Sequence, residues 1–193
     1  MRKMKARFGM AMGLMVLALA VSAYAPQPAR ADINPRMVDI LVTSNNVQVL
    51  LYARLVDCFR TEMESAILAG VPAIFTIVLN VYQERSYWDR NVFSKEIYRT
   101  VKYDNLKKTF TVTTNGQGPP VVFYDFESAQ KAMEELSGIS VIPLSYLQRG
   151  FNYSVHVKVK MDKVNLPFSM EYVFFFVSLW NFETPLYKIR FSY

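Results

Sequence analysis

The chain has 193 residues, 52% of them hydrophobic and 15% aromatic, with 22 Lys+Arg against 16 Asp+Glu and a formal net charge of +6. Five of the basic residues and none of the acidic ones fall in residues 1–31, which leaves 17 basic against 16 acidic side chains in residues 32–193. So even a balance excludes a nucleic-acid protein built on a clustered basic face, and one cysteine with one histidine excludes zinc sites of the usual nitrogen and sulfur type.

Arg2, Lys3, Lys5 and Arg7 precede an apolar run from Phe8 to Ala25, and Ala29-Arg30-Ala31 follows. That order predicts a secretory signal peptide cut after Ala31. An uncleaved anchor is the alternative, because the run of 18 residues lies at the lower edge of membrane-spanning length. Either way the chain is expected to be exported, into the periplasm or held on the inner membrane facing it. Residues 32–193 are then a single β-rich domain of 162 residues, large enough for a core without staples.

Met37–Thr43 and Val47–Val56 read as a hairpin around Ser44-Asn45-Asn46. Asp57 is placed to cap a helix with Phe59, Met63, Ala66 and Ile67 on one face and Gly70 at its end. Cys58 then reads as a small buried hydrophobe at the helix start. Pro72–Tyr82 alternates as a long strand, Val92–Tyr103 as a second, and Thr109–Thr113 returns from a turn at Asp104-Asn105-Leu106-Lys107.

Asn115-Gly-Gln-Gly-Pro-Pro120 marks a turn before a short strand at Val121–Tyr124. Asp125 is placed to cap a second helix with Ala129, Ala132, Met133 and Leu136 on one face, closed by Gly138. Val141–Leu147 and Phe151–Met161 read as strands. In the latter Tyr153, Val155, Val157, Val159 and Met161 share one face and Ser154, His156, Lys158 and Lys160 the other. Tyr172–Trp180 is too short to span a bilayer, so it is a buried run or an interface, and Leu186–Tyr193 alternates as a last strand. The order predicts an α+β fold, mainly antiparallel, as a sandwich-like or curled sheet with two inserted helices.

Ala69-Gly-Val-Pro72 before a long strand, Tyr87-Trp88-Asp89, Tyr103-Asp-Asn-Leu106 with Phe110, Leu166-Pro167, and Ser178-Leu-Trp180 before a final aromatic strand together resemble the bacterial family catalogued as domain of unknown function 4390. The resemblance covers nearly all of the chain after residue 31, and the order of the motifs carries it. It implies a secreted or envelope-associated protein of Gram-negative bacteria with no assigned activity or catalytic residues. It also implies an inner-membrane partner by association, a sensor histidine kinase of the nitrogen-regulation type.

Glu84-Arg-Ser-Tyr-Trp-Asp-Arg-Asn-Val92 concentrates charge and aromatic surface. A catalytic carboxylate pair would need one acid in surroundings that raise its pKa, and Arg85 and Arg90 beside Glu84 and Asp89 oppose that. A structural corner, with Tyr87 and Trp88 folded over the edge of the core and the charges paired on the surface, is the plainer expectation. A partner contact through Arg85, Tyr87, Trp88 and Arg90 is the functional one, since Trp, Tyr and Arg dominate interface hot spots. His156 is expected to be exposed among lysines, away from any nucleophile. No catalytic residue, cofactor or metal site emerges. The residues predict a non-enzymatic envelope binding or regulatory module near the membrane. The alternative is a carrier of a lipid or other apolar ligand, with Phe174, Phe176 and Trp180 lining an apolar groove.

Overall fold

The computed structural model describes residues 34–161 and 181–193. The candidate groove residues Phe174, Phe176 and Trp180, the Tyr172–Trp180 run and the N-terminal segment lie outside them. The described residues form ten strands and two helices: β1 Arg36–Ser44, β2 Gln48–Val56, α1 Thr61–Leu68, β3 Ala73–Gln83, β4 Arg90–Asp104, β5 Thr109–Thr114, β6 Val121–Phe123, α2 Phe126–Glu134, β7 Glu135–Pro143, β8 Asn152–Met161, β9 Phe182–Glu183 and β10 Tyr187–Ser192.

All pairings among the described residues are antiparallel. A small sheet has the order β1-β2-β7, a large one the order β10-β8-β3-β4-β5-β6, and β9 joins the large sheet on the end of β8. This is the expected α+β architecture with two inserted helices, and among the described residues the sheets do not close into a barrel.

Alternation explains why the sheets face each other. In β3 the side chains of Ala73, Phe75, Ile77, Leu79 and Val81 are all fully buried, and in β8 Tyr153, Val155, Val157, Val159 and Met161 join them. The small sheet contributes Met37, Val49, Leu51, Leu55, Ile139 and Val141, and the helices contribute Met63, Ile67, Ala129 and Met133 to the same core. Much of the aromatic surplus is spent here. Phe59 packs against Phe75 (ring centroids 5.2 Å apart) and Phe126 (5.9 Å), and Phe126 against Phe110 (5.8 Å).

Both helices depart from the expected bounds for local reasons. Asp57 is not the cap of α1: its φ of +58° puts it in the left-handed region, whereas a capping residue needs extended backbone. Its carboxylate pairs with Arg36 instead. Arg60, with φ −110° and ψ 155°, takes the cap position without a side-chain bond, and Phe59 lies ahead of the helix. Cys58 is fully buried beside it.

Asp125 does cap α2, accepting a hydrogen bond from the Ser128 amide at 2.7 Å, and that bond holds its carboxyl below the usual carboxylate range. The helix ends at Glu134, so Leu136 and Gly138 belong to β7, which starts six residues before the expected Val141. The expected strand past Pro143 is a single 3-10 turn, Leu144–Tyr146. Arg99, on β4 and 6% exposed, donates to the carbonyls of Ala132 and Glu135 and to Thr114 Oγ1, so a buried guanidinium satisfies carbonyls at the end of α2.

Candidate docking site

The β3–β4 turn is built outward from a buried glutamine. Gln83, 3% exposed, ends β3, and its Oε1 accepts from Arg85 Nη2 at 3.0 Å and Nε at 3.3 Å, which fixes the first arginine of the turn. The Glu84 amide donates to the Asn152 carbonyl at the start of β8 (2.9 Å). The Glu84 carboxylate takes Arg190 Nε of β10 at 2.7 Å. The Arg85 amide donates to Asp89 Oδ1 at 3.4 Å. Beyond these ties the chain projects: Tyr87 is 92% and Trp88 79% exposed, their ring centroids 6.3 Å apart and tilted by 52°.

This corrects the corner reading. The two rings do not fold over the edge of the core, and Glu84 pairs with an arginine more than a hundred residues away rather than with Arg85. Arg85, Tyr87, Trp88 and Arg90 all lie on this turn or at its foot, and all are exposed.

His156 departs from expectation in burial. It sits on the predicted polar face of β8 but is half-buried, because the ring of Tyr82 lies over it with centroids 4.5 Å apart. Its Nε2 is 3.2 Å from Ser154 Oγ. Burial holds the imidazole below its ordinary value, Lys188 adds to this, and Asp89 opposes it. The Ser154 hydroxyl is not presented to a substrate: that residue is 4% exposed, flanked in register by Tyr82 and Arg190.

Cys58 is closed off too. Burial, with Glu134 and Asp57 adding to it, pushes its thiol up to about 12, the opposite of the shift a nucleophilic cysteine needs. Among the described residues no group of three His, Cys, Asp or Glu side chains is placed to hold a metal ion.

Sequence reasoning missed the residues that join the turn from elsewhere: Arg190, and the loop 148–151 with exposed Arg149 and Phe151. The alternation of β10 puts Arg190 on a polar face, but only the pairing of Arg190 with Ser154 and of Ser154 with Tyr82 brings it to Glu84.

Fold and site together define an antiparallel α+β domain that carries an exposed aromatic and arginine turn at one end of its larger sheet. The chain belongs to the family described as Domain of unknown function (DUF4390), whose model matches residues 34–190. No curated protein and no solved structure matches the chain.

Proposed function

We propose that this is a non-enzymatic binding or regulatory module of the cell envelope, exported and held near the inner membrane, that docks on an inner-membrane protein through Arg85, Tyr87, Trp88 and Arg90. The observation that supports it is the exposure of Tyr87 and Trp88 on a turn whose base is pinned by Gln83, Asn152 and Arg190. A contact surface held in place before binding loses less conformational entropy on association. A sensor histidine kinase, the partner that the family resemblance suggests, fits this reading.

The test is crosslinking of the tagged full-length protein in its native envelope, with identification of what is recovered. One stoichiometric membrane protein is the expected outcome, and the double substitution Arg85→Glu and Arg90→Glu should cut its recovery at least tenfold. Unchanged recovery with that variant sinks the assignment of the surface. The alternative, a carrier of a lipid or other apolar molecule, rests on the aromatic surplus. Organic extraction of the purified protein followed by mass spectrometry should return a stoichiometric amphiphile if it holds.

A further inference from the structure

We propose that the end of the domain bearing the β3–β4 turn seats directly on an anionic lipid surface. Tyr87 and Trp88 enter the headgroup layer, and Arg85, Arg90 and Arg149 lie against lipid phosphates. This deepens the docking reading by giving the same turn a lipid contact beside any membrane protein it meets.

Topology gathers the contact. β3 ends, β4 begins, β8 begins and β10 ends at one end of the large sheet, with Gln83 in register with both Arg90 and Tyr153 and Asn152 with Ser192. The turn 84–89, the loop 148–151 and Tyr193 are therefore neighbours. They are tied by Glu84 N to Asn152 O (2.9 Å), Gly150 N to Tyr193 O (2.6 Å) and Tyr193 N to Phe151 O (3.1 Å). Phe151, 45% exposed, adds apolar surface beside the turn.

Charge complementarity selects the occupant. The turn, Arg90 at its foot, the loop and Arg190 hold four arginines, Arg85, Arg90, Arg149 and Arg190, against two side-chain carboxylates, Glu84 and Asp89, and Glu84 is taken by Arg190. Guanidinium groups match phosphate oxygens in bidentate geometry. Tyrosine and tryptophan carry an apolar body with a polar tip, which suits the interface between headgroups and acyl chains. The shape argues the same way: two rings standing up from a turn need a preformed pocket on a protein, but a fluid headgroup layer takes them without one.

The test uses the full chain with Trp180→Phe, which leaves Trp88 as the remaining tryptophan. It is mixed with vesicles of phosphatidylglycerol and phosphatidylethanolamine whose acyl chains carry bromine. The readout is local to Trp88, so an apolar N-terminal segment that brings the chain to the vesicle does not by itself quench it. The expected result is a blue shift and quenching of Trp88 that weaken as salt rises and are far smaller on brominated phosphatidylcholine. Arg85→Gln and Arg149→Gln should each weaken apparent affinity about fivefold.

Trp88 emission unmoved on anionic vesicles overturns the proposal. If Trp180→Phe does not fold, Ser86→Cys labelled with a polarity-sensitive dye gives the same readout, since Cys58 is buried. A turn silent on vesicles but still crosslinked to a membrane protein removes the lipid contact and leaves the docking reading standing. Quenching without a crosslinked protein does the reverse.

Discussion

His156 shows how one contact sets a residue's chemistry. Tyr82 covers its ring, and the resulting loss of hydration, with Lys188 adding and Asp89 opposing, keeps the imidazole neutral below its ordinary 6.5. A histidine whose folded value lies below its unfolded one contributes stability that is complete above the unfolded value and is lost as pH falls through the folded one. An NMR titration should therefore give His156 a midpoint under 6.5, and Lys188→Ala should move it upward. Stability should decline as pH falls from 6.5 through that midpoint, less steeply in His156→Gln. A midpoint at or above 6.5 would put the ring in water, uncovered by Tyr82. None of this was legible in the local sequence, where His156 stands among lysines; Tyr82 reaches it only through the pairing of β3 with β8.

At the scale of elements, the strands were readable, as were the Asp125 cap and the Gly70 stop, but the start of α1 and the end of α2 were not. Period-two alternation is imposed by burial of one face, so β3 and β8 announce themselves in Phe75, Ile77, Leu79 and in Val155, Val157, Val159. The end of α2 depends on a group distant in sequence. The apolar spacing of Ala129, Ala132, Met133 and Leu136 allows α2 to continue, but Arg99 takes the carbonyls of Ala132 and Glu135, and burial draws its guanidinium below the ordinary value against the pull of Glu135. Arg99→Met keeps the stem and removes three hydrogen bonds in a buried setting, so it should destabilise the domain by about 3 kcal/mol. Chemical denaturation reads this as a lower midpoint at unchanged slope. A loss under about 1 kcal/mol would mean that water replaces the guanidinium at those carbonyls.

At the scale of the molecule, the core and the exposed turn are separable. Tyr87 and Trp88 contribute nothing to the buried cluster, so replacing both with alanine should leave the unfolding free energy within about 0.5 kcal/mol while removing the contacts argued above. A larger loss would return these rings to a structural role. The stretch from Glu84 to Val92 stood out by composition, but its surroundings did not, because Arg149, Phe151 and Arg190 arrive from two later segments.

The strand order also bears on how the chain comes together in time. β3 finds β4 at once, across a turn of six residues, but on its other side Leu79 pairs with Val157, seventy-eight residues further on. A chain emerging from its amino terminus thus holds its most apolar strand with one edge unpaired until β8 appears. Contacts so distant in sequence slow folding, and an open, hydrophobic edge is a template for the same edge of another molecule. The half-made protein is consequently the form most open to aggregation, for as long as that edge stays uncovered.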